Sequence, residues 1–244
     1  MVSSEESAAR LANKPYPVLA VDLADREAVR AALGDRPRPD ILVHCLSGKT
    51  GRDPAAYRMT YVQTLQNLLE ILAPAFAVFT GSTSVYAQND GSAVDENSPV
   101  GGTPTGDVLV AAEKLALESG GAVVRLGGIY GPGRSGFIRA ALAGEPVAHG
   151  DPESFVNLVH RDDAARALQH VATRRLGGAF NAVDDHPSRR SDLARALRGE
   201  KIPATAAGTA TGKKVRNAKL RAAGWTPRYP SPIDALRADP LLAA

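Results

Sequence analysis

Three clusters hold the residue types that could do chemistry. The first is Phe79-Thr80-Gly81-Ser82-Thr83-Ser84-Val85-Tyr86, where hydroxyls follow directly on an apolar run and can be presented to a ligand. The second is Gly127-Gly128-Ile129-Tyr130-Gly131-Pro132-Gly133-Arg134, whose glycines let backbone approach a ligand closely. The third, Val156-Asn157-Leu158-Val159-His160-Arg161-Asp162-Asp163, leads into a helix for which Asp162 is a natural N-cap. Each cluster also has a plainer reading, as a turn, a chain reversal or a cap. A Ser-His-Asp triad lacks its Gly-x-Ser-x-Gly elbow. The five histidines show no ligand spacing, so no metal site is expected.

The elements that must position these clusters alternate. Helices are expected at 4–13 (capped by Ser3 or Ser4), 26–33 (capped by Asp25 and stopped by Gly34), 54–73 and 106–118. In the 54–73 segment Tyr57, Tyr61, Leu65, Leu68, Leu69 and Leu72 recur at helical spacing. Further helices are expected at 136–143, 162–173, 188–198 and 217–223. Apolar runs at 17–21, 41–46, 76–79, 122–126 and 179–183 read as strands. A Ser47-Gly48 turn follows the second, and loops cover 87–104, 127–136 and 203–213. Continuously apolar strands alternating with helices imply a mostly parallel sheet covered on both faces. Such a sheet puts ligands at the carboxyl ends of its strands, where Asp22, Ser47, Ser82 and the 127–136 loop all fall.

Composition bounds the rest. The chain has 244 residues, 44% hydrophobic and 23% charged, enough for one sizeable core. Its one cysteine, Cys45, excludes a disulfide framework. The polar, acidic start and the short apolar runs imply a soluble, cytoplasmic protein with no membrane partner. Net charge is only +3, yet 186–228 carries eleven Lys or Arg against Asp192 and Glu200. That stretch could attract a small polar or phosphorylated ligand. Aromatic residues do not interleave with the charges, so nucleic acid is not an expected partner.

In order and spacing, these pieces resemble the extended, atypical short-chain dehydrogenase/reductases, the NAD-dependent epimerase/dehydratase group. The matching segments are Val21-Asp22-Leu23, 40–46, Ser82 to Tyr86, Val124-Arg125-Leu126 through Tyr130-Gly131-Pro132, and His160-x-Asp162-Asp163. The tail segments Phe180 to Pro187, Lys213 to Leu220 and Gly224 to Pro230 extend the likeness over about 200 residues. The resemblance implies an α/β fold, an incomplete doubly wound (Rossmann-like) sheet with a small C-terminal substrate lobe. The core is 1–128. Residues 129–244 form a mixed region that returns 160–184 to the core and builds the basic lobe.

The resemblance also implies roles. Asp22, Leu23, Leu46, Ser47, Leu126 and Gly127 would contact NAD or NADP. Ser82 would be catalytic, hydrogen-bonding the reacting oxygen. Thr83, Tyr86, Gly128, Arg134 and Arg161 would meet the substrate.

Two departures stand out. Thr105 and Leu109 occupy the family's Tyr and Lys positions, and neither can exchange a proton near neutral pH. The glycine-rich turn and the first strand of the family are also missing ahead of Asp22, which predicts an N-terminally truncated sheet with an open edge, one that a homodimer could cover. The expected function is an NAD(P)-binding epimerase/dehydratase-like protein for a sugar-nucleotide or similar polar substrate, impaired in hydride transfer. The alternative is a non-catalytic binding, sensing or scaffold protein of the same fold.

Overall fold

The computed structural model describes residues 1–47, 51, 53–134, 136–145, 151–202, 210–239 and 242. Four parallel strands form its central sheet, in the spatial order Ile41–His44, Phe76–Ser82, Ala122–Leu126 and Gly178–Ala182. Adjacent residues of a strand point to opposite faces, and both faces are covered. Val78, Val124 and Phe180 pack with Ala164, Ala167 and Val171 of the Arg161–Arg174 helix. Phe79 and Val123 pack with Leu109, Ala112 and Ala116 of the Pro104–Glu118 helix, and with Leu65. Each fully buried Val, Leu or Phe here contributes about 1.5–3 kcal/mol. That two-sided burial is why these strands are legible as unbroken apolar runs.

The amino-terminal elements are shorter than the sequence suggests. The first helix is Glu5–Ala9, capped by Ser4, whose hydroxyl accepts from the Ser7 N–H. The expected strand at 17–21 is reduced to one parallel bridge between Val2 and Ala20. Pro15 and Pro17 donate no backbone hydrogen bond, which shortens whatever ladder could form. The Arg26–Leu33 helix is as expected, with Asp25 accepting from the N–H groups of Glu27 and Ala28. It packs through Val29 and Leu33 against Leu68 and Leu72. Ile41–His44 pairs only with Phe76–Ser82, and Val43 is 40% exposed. Among the described residues, no strand occupies the other edge.

The long helix expected at 54–73 has three parts: Pro54–Tyr57, a π-helical stretch Arg58–Gln63, and Thr64–Leu72. Gly48 of the expected Ser47-Gly48 turn lies outside the described residues, as do 203–209 of the expected 203–213 loop.

Three small sheets replace parts of the expected loops. Gly128–Tyr130 pairs with Leu158–His160. Ser154–Val156 lies between Thr211–Gly212 and Ser188–Arg189. Ala93–Val94 pairs with Lys214–Val215. The Arg161–Arg174 helix is capped not by Asp162 but by His160, whose Nδ1 accepts the Asp162 N–H at 3.2 Å. A helix at Pro232–Ala238, unforeseen in the sequence, is capped by Ser231. Its Ala235 joins Tyr130, Ile138, Leu193 and Leu197 in a separate apolar cluster built from the carboxyl-terminal half. Among the described residues no helix is long and apolar enough to cross a membrane, and no group of His, Cys, Asp and Glu could hold a metal ion.

Candidate functional site

Three adjoining hollows follow the carboxyl ends of the central strands. The first, about 250 Å³, is lined by Asp22, Leu23, Leu46, Ser47, Met59 and Thr60, among others. Its rim is fixed by buried Asn67, which donates to the carbonyls of Leu23 and Ala24 at 2.9 and 3.2 Å. The second, about 190 Å³, shares Leu46 and adds Tyr61, Ser82, Leu109, Leu126 and Gly127. The third is the largest, about 590 Å³, and shares Ser82 with the second. Thr83, Gly128 and Arg134 line it as well. Six residues expected to hold a dinucleotide and four expected to act on a substrate therefore fall along one crevice.

Ser82 sits where two hollows meet. Its Oγ accepts the Ser84 N–H at 3.2 Å, which leaves the hydroxyl proton for a ligand. Gly127 is required by close approach: a Cβ there would stand 2.7 Å from the Asn157 carbonyl oxygen.

Tyr86 and Arg161 depart from expectation. Tyr86 is 1% exposed and lines no part of the crevice. Its hydroxyl receives a hydrogen bond from Arg125 at 2.7 Å and donates to Asn181 at 2.9 Å. Arg125 is held in turn by a bidentate pair with Glu113, at 3.0 and 2.8 Å. Burial raises the Tyr86 pKa against the opposing pull of Arg125, so the phenol stays neutral and structural. Half-exposed Arg161 donates to Asp162 and to the Pro132 carbonyl at 3.1 and 3.0 Å, and so fastens the loop beside the cavity.

Leu109 does face the hollow that holds Ser82. It is 4% exposed and belongs to the apolar cluster around Phe79. Thr105 lines none of the three hollows. Tyr57 and Tyr61 are the phenols that line the second hollow, with rings 5.2 Å apart. Burial, and secondarily Tyr57, raises the pKa of Tyr61, so it too is neutral near pH 7.

The sequence did not single out Arg190 and Lys213, which line the third hollow with Arg134. Among the described residues that line it there is no Asp or Glu. The Arg190 Nε is buried without a hydrogen-bond partner, and its guanidinium lies 5.6 Å from the centroid of the Phe137 ring. Burial lowers its pKa, yet a guanidinium stays charged at neutral pH. A half-buried guanidinium with no carboxylate beside it is open to an anion. The signal was available in the excess of bases over 186–228. It was blurred by Arg189, Arg198 and Arg221, which pair with Glu153, Glu200 and Asp185.

A nicotinamide dinucleotide fits this crevice in part. The first hollow has the apolar walls and the single carboxylate, Asp22, suited to an adenosine end, and Leu126-Gly127 leaves room at the other. The pyrophosphate is not matched: residues 1–33 contain no glycine. The helix beside the first hollow is already capped by Ser4 and begins with Glu5 and Glu6, which repel phosphate.

No family model matches the chain, and no curated protein matches it. Solved structures do. A Methylobacillus flagellatus protein assigned as an NAD-dependent epimerase/dehydratase is 28% identical, with 96% of this chain and 92% of that one covered at a TM-score of 0.75. UDP-glucose 4-epimerase from Thermotoga maritima, solved with UDP-glucose, is 20% identical over 95% and 92% of the two chains, at 0.73. RMD from Pseudomonas aeruginosa, complexed with NADPH, is 20% identical over 97% and 94%, at 0.67. The last two speak for the fold alone. The architecture is thus that of a Rossmann-like α/β protein. The 28% likeness, over nearly the whole of both chains, agrees with the resemblance to the epimerase/dehydratase group read from the sequence.

Proposed function

We propose that this protein binds a sugar-nucleotide or similar phosphorylated polar molecule in the 590 Å³ cavity beside Ser82. The observation that carries the reading is the lining with Arg134, Arg190 and Lys213, free of Asp and Glu among the described residues, in which half-buried Arg190 has its Nε buried without a hydrogen-bond partner. Guanidinium groups meet phosphate oxygens in pairs, so Arg190 and Arg134 suit a phosphate. Ser82 donates its hydroxyl proton to a polar group of the ligand. The adjoining hollows take the two ends of NAD or NADP, with Asp22, Leu23, Leu46 and Ser47 at one and Leu126 and Gly127 at the other. That group supplies hydride chemistry when bound in such folds.

We assign no hydride step to this chain. Leu109 presents a methyl group where an ammonium would be needed, and no glycine turn among the described residues meets a pyrophosphate. The same two features favour a second reading, a binding or sensing protein that keeps the fold without turnover. A soluble, cytoplasmic homodimer remains part of the proposal.

The test is a pair of titrations of the purified chain, one with UDP-glucose and one with NADPH followed by its fluorescence. Micromolar UDP-glucose binding, weakened at least about tenfold in Arg190→Ala, supports the cavity reading. Absence of binding up to millimolar concentration sinks it. Saturable NADPH binding would show that a dinucleotide is held without the glycine turn.

A further inference from the structure

Lys213 is the least ordinary amine of the described chain. Its backbone is clamped by two asparagines. The Gly212 N–H donates to Asn89 Oδ1 at 2.9 Å, and Asn157 Nδ2 donates to the Lys213 carbonyl at 2.9 Å. The Val215 N–H donates back to Asn157 Oδ1 at 2.8 Å. Gly212 has φ 73, and a Cβ there would stand 2.5 Å from Ser154 Oγ, so the chain passes this point only as glycine. The Lys213 Nζ donates to the Tyr86 carbonyl, a neutral acceptor. No carboxylate among the described residues pairs with it. By contrast Lys114 pairs with Glu118, and Lys14 and Lys201 lie exposed to water.

Burial holds the Lys213 amine below the ordinary lysine range. Arg134 and Arg190 line the same cavity. A half-buried lysine beside other cations is the arrangement that makes an amine nucleophilic near neutrality.

We propose that Lys213 is a covalent ligand site: its amine forms an imine with the aldehyde or ketone carbonyl of an anionic ligand seated on Arg134 and Arg190. The nitrogen lone pair attacks the carbonyl carbon and makes a C–N bond. The carbonyl oxygen, met by the Ser82 hydroxyl proton, becomes the hydroxyl of a carbinolamine. That oxygen then leaves as water, carrying the Ser82 proton and one proton from the nitrogen, whose other proton restores the Ser82 hydroxyl, and the C=N bond remains. Nothing is oxidised or reduced. The inference rests on the cavity's accepting an anion, and not on a dinucleotide.

Pyridoxal 5′-phosphate, an aldehyde and a phosphate in one molecule, is the probe. The full chain is incubated with it at neutral pH, reduced with borohydride, digested and mapped by mass spectrometry. Each unit of pKa depression raises the free-amine fraction about tenfold. Label at Lys213 should therefore exceed that at Lys14 or Lys201 severalfold. It should fall when inorganic pyrophosphate competes, and vanish in Lys213→Met while Lys214→Met keeps it. Labelling spread evenly over the lysines, or concentrated on Lys214, overturns the assignment. Pyrophosphate binding is measured separately by calorimetry on the wild type and on Lys213→Met, with circular dichroism as the check of folding. If pyrophosphate binds and Lys213 is not labelled, only the amine is refuted; if pyrophosphate does not bind, the anion-binding reading of the cavity fails with it.

Discussion

Replacing Asp184 by asparagine should stabilise the protein at alkaline pH and leave its stability nearly unchanged in mild acid. Asp184 is 3% exposed. One carboxyl oxygen accepts the His186 N–H at 3.3 Å and the other, Oδ2, has no partner. Burial pushes its pKa from 3.8 up to about 8, with Asp185 and Asp234 adding to the rise. Between those two values the native state holds a proton that the unfolded chain has released. Stability therefore falls as pH climbs from about 4, and the loss is complete above about 8. At about 1.4 kcal/mol per unit, the ceiling on that loss is roughly 6 kcal/mol. Asparagine keeps the acceptor for the His186 N–H, offers N–H where the protonated carboxyl offered O–H, and cannot ionise. Urea denaturation of both proteins at pH 5, 7 and 9 reads the gap between them. A gap that widens by several kcal/mol from pH 5 to 9 is expected. A gap that is the same at all three pH values would refute the reasoning, because the carboxyl would then be as ionised in the native state as in the unfolded one.

Glu113→Gln should destabilise the fold by about 3–5 kcal/mol, since it leaves the Arg125 guanidinium buried without its counter-charge; urea unfolding measures this. Gly127→Ala should cost about 1–3 kcal/mol through overpacking against the Asn157 carbonyl, visible as a lowered Tm. The double variant Thr105→Tyr with Leu109→Lys should show no NAD(P)-dependent turnover, since it restores the proton-transfer pair and not a pyrophosphate cradle. It should also be less stable, because an ammonium replaces a side chain that is 4% exposed. Coupled absorbance at the nicotinamide band and thermal melts check the two halves.

The sheet was readable because parallel strands buried on both faces must be apolar throughout, and 122–126 could hardly be anything else. The 17–21 run looks the same in sequence, yet a strand also needs a partner, and among the described residues only Val2 supplies a rung. Strands such as Gly128–Tyr130 and Lys214–Val215 are two or three residues long and pair with segments far along the chain. Their pattern is too short to carry a period. At the candidate site, the resemblance named Ser82 and Gly127, and both line the crevice because each stands at the carboxyl end of a central strand. Tyr86 was misjudged because the sequence does not show that Arg125 and Asn181 claim its hydroxyl. Arg190 and Lys213 were hidden for the converse reason. A cation's meaning depends on which acids reach it: Asp185 meets Arg221, whereas no carboxylate among the described residues pairs with Arg190.

The Asn157 side chain behaves toward the Lys213–Val215 segment as a peptide group of a neighbouring strand would, giving a donor to one residue and an acceptor to another. The Val215 N–H points away from the Ala93–Val94 strand, whose hydrogen bonds go to its neighbours Lys214 and Arg216. That amide consequently works as a clock for the cavity wall. Its hydrogen–deuterium exchange is slow only while Asn157 is seated, so the rate at this one position records how often the wall lets go, with any ligand or none.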